Sequence, residues 1–217
     1  MYLNNSIFVL EKMLPGLVWR RKTQKKIFLT FDDGPIPGVT EYVLEQLNLF
    51  NIKATFFCVG ENIHKHADIF KKIVEAENKV GNHTYNHYNG WKVSFENYMS
   101  NVKKCDEVIR YYLEGSQTQY HSSTSHRKLF RPPYGKITPK IVRNLKTEYE
   151  VIMWSVLTGD YDREQTPEDC LRQSIRYTKD GSIVIFHDSV KAEKNLRYVL
   201  PKFIQYFTDK GYSFDVL

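Results

Sequence analysis

Cysteine is scarce in this chain of 217 residues: Cys58, Cys105 and Cys170 are an odd number, lie far apart and contain no CxxC pair. That excludes a disulfide framework, a thiolate zinc cluster and a thioredoxin-like redox motif, and it leaves reduced, packed thiols. Long apolar runs are missing as well. No stretch reaches the roughly 20 apolar residues that a membrane-spanning helix needs. Near the start, Glu11 and Lys12 break the apolar run and no small-residue cleavage site follows. The expectation is a chain without a cleaved signal, acting in the cytoplasm or at the inner face of the membrane. No glycine-rich loop opens a helix to cradle phosphate, which speaks against a phosphotransferase or phosphatase. Although the formal charge is +6, the Lys and Arg residues are scattered through helical patterns and form no stripe. No nucleic-acid partner is expected from such a surface.

What is present is ordinary globular composition, 41% hydrophobic and 26% charged, with 13 Phe and 15 Tyr to supply apolar area. A chain of this length can bury one core as a single domain. From Lys26 onward short β-branched or aromatic runs alternate with longer amphipathic ones, the pattern of repeated βα units around a parallel sheet. Seven strands are predicted, at 27–31, 54–59, 79–82, 129–131, 150–156, 182–186 and 213–216. Helices are predicted at 40–50, 69–76, 95–113, 139–145, 167–177 and 196–210, with Gly115, Gly181 and Gly211 as stops. The fold class is α/β, and reactive side chains after five different strands favour a distorted (β/α) barrel over an open sheet, with the active site at the C-terminal ends of the strands. Residues 26–217 form the expected catalytic domain. Residues 1–25 are expected to pack on the barrel or to lie at an interface, residues 8–22 offering weak contact with a membrane surface. The polar stretch 114–128, with His121 and His126, reads as an exposed loop.

Chemistry concentrates at the strand ends. The segment Thr30-Phe31-Asp32-Asp33-Gly34-Pro35 presents two carboxylates at a rim, and the turn after them lets both face one site. Adjacent acids suit a division of labour, one binding a cation and one handling a proton, better than a glycosidase pair on opposite walls. Alone, Asp-Asp-Gly-Pro is also an ordinary surface turn. His83-Thr84-Tyr85-Asn86-His87 answers it with two imidazoles at i and i+4, which a helical turn would place on one face at metal-binding separation. Thr84 follows the first His where a zinc peptidase has Glu, so the base must come from Asp32 or Asp33. In Phe130-Arg131-Pro132-Pro133-Tyr134-Gly135 two prolines stiffen the backbone beside an Arg that could hold a buried Asp ionised and oriented. Trp154 lies on a strand with Asp160 and Asp162 just beyond it. The run Ile183-Val184-Ile185-Phe186-His187-Asp188 delivers a His that can donate a proton if an acid orients it.

With these clusters in this order, TFDDGP, HxxxH, RPPYG and an apolar strand ending in His-Asp, the chain resembles the polysaccharide deacetylase family, also called the NodB-homology domain or carbohydrate esterase family four. The likeness runs from about Ile27 to the C-terminus. It implies a metal-dependent hydrolase acting on linear amides, which removes an N-acetyl or O-acetyl group from an amino sugar, an oligosaccharide or a lipid-linked sugar. It also implies Asp33, His83 and His87 as ligands of one divalent metal ion, zinc first, with cobalt, nickel or manganese as alternatives. Asp32 would be the general base braced by Arg131, His187 the general acid oriented by Asp160, and the Tyr134 N–H part of an oxyanion hole. Pro132, Trp154, Tyr161 and Ile185 would wall the acyl pocket, where Tyr161 stands for the family's usual Trp and Ile185 for its frequent Leu. The alternative is a non-catalytic carbohydrate-binding domain that retains the fold.

Overall fold

The computed structural model of the chain describes residues 16–114 and 127–217. At the centre lies β1 (Lys26–Asp32), which sends Ile27, Leu29 and Phe31 into one apolar cluster and Phe28 into another. Successive side chains of a strand point to opposite faces, so a strand buried on both reads as a continuous apolar run. On one side of β1 the sheet continues through β2 (Thr55–Cys58), β3 (Lys79–Asn82), β4 (Lys128–Phe130) and β5 (Tyr149–Val151). On its other side it continues through β7 (Ile183–His187) to β6 (Val156–Leu157), while β8 (Ser213–Phe214) pairs with the start of β1. All of these pairings are parallel. The C-terminal ends of the strands therefore share one rim, where Asp32 stands beside His187 in register.

The helices that cover this sheet are α1 (Val39–Leu49), α2 (Gly60–Lys65), α3 (Ala67–Glu75), α4 (Phe95–Leu113), α5 (Pro139–Leu145), α6 (Pro167–Tyr177) and α7 (Glu193–Asp209). Helices α4, α5 and α6 occupy their predicted spans because a Ser or Thr stands at each start. The Ser94, Thr138 and Thr166 hydroxyls accept the N–H groups of Asn97, Ile141 and Asp169. Helix α2 is too short for its period to be read from the sequence. Gly181 is not a helix stop: α6 ends at Tyr177, and Gly181 adopts φ 73° in the turn before β7, where a Cβ would meet the Arg21 carbonyl oxygen at 1.8 Å.

One predicted strand, 150–156, is two. The Ile152 N–H donates to the Phe130 carbonyl at 2.8 Å, whereas the Ser155 N–H donates to the Ile183 carbonyl at 3.0 Å. Within four residues the chain thus leaves the edge formed by β5 and joins the opposite edge through β6, and this crossing turns the sheet into a distorted barrel. Residues 18–21 span the same gap, through the Val18 N–H on the Val151 carbonyl, the Met153 N–H on the Val18 carbonyl and the Arg21 N–H on the Gly181 carbonyl. Leu17 and Trp19 bury themselves in a cluster with Tyr98, Phe130 and Ile141, and Arg21 makes a two-pronged ion pair with Glu150 at 2.8 and 2.9 Å.

Between sheet and helices, Phe31 stacks on Phe56 and Phe186 at ring-centroid distances of 5.1 and 6.0 Å. Each such ring, fully buried, is worth about 1.5–3 kcal/mol relative to exposure, so these strands carry a large part of the fold's stability. The three cysteines are free and buried, as packed thiols should be. Among the described residues no helix is long and apolar enough to cross a membrane. Of the membrane contact expected of residues 8–22, residues 8–15 lie outside the described residues, as do the stop at Gly115 and the loop histidines His121 and His126.

Candidate active site

The acidic turn is built by its neighbours. Beyond β1, Gly34 must be glycine, because a Cβ there would sit 1.9 Å from Asp188 Oδ2. Asp188 follows β7, is buried, and accepts the Gly34 N–H at 3.0 Å and the Thr40 hydroxyl at 2.6 Å. The Gly34 carbonyl accepts the Val59 N–H at 3.0 Å, and Asn62 Nδ2 donates to the Asp33 carbonyl at 2.7 Å. With the turn held from both flanking strands, Asp33 takes φ 83°. Neither Asp188 nor Asn62 is recognisable in the sequence as a structural lock, since a carboxylate aimed at a backbone N–H looks like any other.

The two histidines meet by a different route from the helical turn expected of their spacing. Residues 83–88 form an irregular loop in which Thr84 (φ 61°) and His87 (φ 55°) are left-handed. Three asparagines hold it. Asn82 accepts the Thr84 N–H at 2.8 Å and is itself fixed on Val102 and Asp106, while Asn101 on α4 accepts the N–H groups of both Tyr85 and Asn86 at 2.8 Å and donates to Asn86 Oδ1. Left-handed backbone costs on the order of 1–3 kcal/mol for a non-glycine residue and marks functional sites. Asp33, Thr84, His87 and Tyr134, four of the seven such residues among those described, lie here.

His87 Nε2 stands 3.1 Å and His83 Nε2 3.8 Å from Asp33 Oδ1, and one ligand atom from each of the three residues lies within 4.8 Å of the others. A tetrahedral set with metal–ligand bonds near 2.0–2.1 Å has donor atoms about 3.3 Å apart, so the spacing suits a divalent cation. The donor states suit it too. His83 Nδ1 donates to the Arg131 carbonyl at 2.8 Å, which leaves its Nε2 lone pair facing the carboxylate, and His87 Nδ1 is 3.0 Å from the Tyr134 hydroxyl. Burial, more than the charges of Asp32 and Asp33 offset, brings the His83 pKa down to about 4, and the imidazole is neutral at pH 7. Asp33 is raised by burial, but the His87 hydrogen bond and the charges of His187, His83 and His87 outweigh this and hold it well below the usual carboxylate range.

Arg131 is fully buried inside the barrel, its guanidinium 4.1 Å from the Phe57 ring centroid. Its Nη1 donates to Asp32 Oδ1 and to Thr30 Oγ1, both at 2.7 Å, and its Nη2 donates to the Met153 carbonyl at 2.9 Å. Asp32 Oδ2 is left 4.0 Å from His83 Nε2. Opposite, buried Asp160 accepts the His187 backbone N–H at 2.7 Å through Oδ2 and the His187 ring Nδ1–H at 2.8 Å through Oδ1. Asn195 on α7 secures Asp160 by donating to its carbonyl at 3.0 Å. Burial alone would lower the His187 pKa, but the Asp160 charge and hydrogen bond, helped by Asp33 and Asp32, raise it to about 9. His187 is an imidazolium at neutral pH.

These groups surround one cavity of about 610 Å³, a size that encloses a small ligand. Asp32, Asp33, His83, His87, Tyr134 and His187 line it together with Pro132, Trp154, Tyr161 and Ile185. Arg131 and Asp160 stand behind the wall, each touching the residue it orients. Tyr134 is left-handed at φ 59° in a 3₁₀ turn, Pro133–Gly135, and a Cβ on Gly135 would meet Trp154 at 2.5 Å. Leu157, Ser189 and Lys191 also line the cavity and carried no signal in the sequence.

The polysaccharide deacetylase family description matches residues 20–151. The chain is similar to the peptidoglycan-N-acetylglucosamine deacetylase PgdA of Listeria monocytogenes, 32% identical over 187 residues that make up 86% of this chain and 36% of PgdA. It thus spans about a third of that curated relative's length. Among solved structures it resembles a peptidoglycan N-acetylglucosamine deacetylase in complex with 4-naphthalen-1-yl-N-oxidanyl-benzamide, at 28% identity and a TM-score of 0.82, covering 93% of this chain and 90% of that one. It is also similar to wild-type BA3943 of Bacillus anthracis, a pseudoenzyme of carbohydrate esterase family four, at 25% identity and a TM-score of 0.78, covering 96% and 69%. On the match over most of its length, the chain belongs to the polysaccharide deacetylase family.

Proposed function

We propose that the chain is a metal-dependent deacetylase that hydrolyses the acetyl group from the nitrogen, or an oxygen, of an amino sugar in a glycan. The observation that carries this reading is the convergence on one cavity of a carboxylate with one oxygen taken by a buried Arg, a carboxylate–imidazole cluster, and an imidazolium held by an Asp. Relatives that act on peptidoglycan and chitin support a carbohydrate substrate. In this reading residues 26–217 are the catalytic domain, and residues 1–25 are an N-terminal segment that packs on the barrel or lies at an interface.

Asp33, His83 and His87 would hold the metal, zinc being the first candidate for this mixed nitrogen and oxygen set. When bound, the cation supplies a Lewis acid that polarises the acyl oxygen and acidifies a water molecule. Asp32 then acts through Oδ2, because Oδ1 is occupied by Arg131, and takes a proton from the water as its oxygen adds to the acyl carbon. The Tyr134 N–H donates to the developing oxyanion. His187, its ring set by Asp160, passes its Nε2 proton to the leaving nitrogen as the carbon–nitrogen bond breaks, releasing acetate and an amine. Pro132, Trp154, Leu157 and Ile185 provide an apolar wall for the acyl methyl, with Tyr161 edge-on to His187 at a centroid distance of 4.9 Å. Losing an acid, a base or an oxyanion donor of this kind costs about 10²-fold or more in rate.

A second reading is a non-catalytic carbohydrate-binding domain, favoured by the likeness to a pseudoenzyme. A product screen by mass spectrometry over N- and O-acetylated sugars, from monomer to polymer, separates the two. Acetate from at least one of them supports the enzyme, and binding without acetate supports the domain. The proposed place of action, the cytoplasm or the inner membrane face, is tested by cell fractionation, and recovery outside the cell would refute it.

A further inference from the structure

Asp106 sits on α4, is buried, and does not line the catalytic cavity. A carboxylate out of water is costly, and apolar side chains of similar volume often hold a helix to a sheet equally well. Yet Asp106 is surrounded by donors. Its Oδ2 accepts the Lys128 ammonium at 2.7 Å and the Tyr149 hydroxyl, which tie it to the starts of β4 and β5. Its Oδ1 accepts Asn82 Nδ2 at 2.7 Å, and Asn82 ends β3 immediately before His83. The Oδ2 side joins helix to sheet, whereas the Oδ1 side reaches the residue next to the carboxylate–imidazole cluster.

That contact decides which way the Asn82 side chain faces. The two ends of an amide have the same shape but opposite hydrogen-bonding character. Asp106 Oδ1 and the Val102 carbonyl, at 2.7 and 2.8 Å, both accept, so the NH2 end turns to α4. The amide oxygen is then left for the other side. There it accepts the Thr84 N–H at 2.8 Å and holds Thr84 at φ 61°, directly after His83. The Asn82 backbone carbonyl accepts the Arg131 N–H at 3.0 Å, and the Arg131 carbonyl accepts His83 Nδ1 at 2.8 Å. Both the backbone that follows His83 and the imidazole ring itself are therefore set by bonds that start at Asn82.

We propose that Asp106 is a positioning residue for the metal centre: acting through Asn82, its carboxylate holds His83 in the pose that presents Nε2 to the ion. Asp106 touches neither the cation site nor the cavity. A carboxylate behind a ligating histidine commonly bonds the ring directly. Here a backbone carbonyl takes that place, and the carboxylate works one residue earlier, on the amide that shapes the loop. The inference rests on the reading of Asp33, His83 and His87 as metal ligands and on no particular substrate.

The test is zinc affinity of the full chain, titrated calorimetrically at a temperature where every variant is folded, beside the melting temperature of each metal-free variant. Asp106→Leu should weaken zinc binding by about tenfold or more, and so should Asn82→Ala. The double variant should bind within about twofold of Asn82→Ala alone, because two residues of one hydrogen-bonded chain are not additive. Tyr149→Phe also removes a bond to Asp106, but on the Oδ2 side, and should keep zinc affinity within about twofold of native whatever its melting temperature. Should Asp106→Leu not fold, Asp106→Ser carries the same expected loss. Native affinity in the Asp106 variant, additive losses in the double variant, or affinity that tracks melting temperature through Tyr149→Phe would overturn the positioning role and leave the metal site standing. A native chain that takes up no zinc overturns both. Acetate release is scored separately and bears on the deacetylase reading alone.

Discussion

Arg131 Nη1 donates to Asp32 Oδ1 at 2.7 Å with the guanidinium entirely out of water, and this pair decides which of two adjacent acids can serve as a base. Asp32 is left one open oxygen 4.0 Å from His83 Nε2, while Asp33, on left-handed backbone, sets its Oδ1 3.1 Å from His87 Nε2. Removing one member of a buried ion pair strands the other. Arg131→Met is therefore expected to lower the unfolding free energy by about 3–5 kcal/mol and to abolish turnover. Denaturant unfolding beside an activity assay checks this, and a stable but inactive variant would place Arg131 in catalysis with no part in stability.

His187 and Asp160 make a pH prediction for the metal-free protein. The folded pKa of His187 is raised from 6.5 to about 9, so its contribution to stability is fully present below pH 6.5 and is lost as the pH rises through 9. Asp160→Asn removes the leading cause of the increase. NMR titration of the ring in the metal-free variant should show its pKa falling. An unchanged titration would mean that Asp160 does not govern this imidazole.

Metal removal should be visible in stability as well as in activity. A ligand present at 100 times its dissociation constant stabilises the state that binds it by about 2.7 kcal/mol. Chelation should therefore lower the melting temperature of the native chain and leave that of His83→Ala or His87→Ala unchanged. Calorimetric scans with added zinc, cobalt, nickel and manganese read both the site and its preference.

Much of this site was legible in the sequence because each reactive residue ends an apolar strand, and parallel strands bring such ends to one rim. The conformation of the His83–His87 segment was not. A four-residue spacing suggests a helical turn, yet the side chains of Asn82 and Asn101 satisfy the backbone N–H groups from outside and hold a left-handed loop. Nor does an unbroken apolar run such as 150–156 reveal that its first half pairs with β4 and its second half with β7, since the direction of each hydrogen bond is a tertiary fact. Nor does the sequence show what Asp188 does: in the fold it accepts the Gly34 N–H and the Thr40 hydroxyl.

That inward role of Asp188 makes Gly34 a sensitive position. A methyl group at residue 34 would lie 1.9 Å from a carboxylate oxygen already bonded to Thr40, so Gly34→Ala should cost about 1–3 kcal/mol by overpacking. It should also weaken metal binding, because Asp33 immediately precedes Gly34 and its position is set by this turn. Equilibrium unfolding and metal titration of one variant report both effects, and wild-type metal affinity in a destabilised Gly34→Ala would separate the turn from the ligand.

The most direct measurement is acetate released from an acetylated chito-oligosaccharide by the metal-loaded chain, with Asp32→Asn, His187→Ala and a chelator as controls. The expected result is release that stops with chelator and falls about 10²-fold or more in either variant while metal stays bound. Metal held at Asp33, His83 and His87 with no acetate from any acetylated sugar, or near-native release from Asp32→Asn, would contradict it.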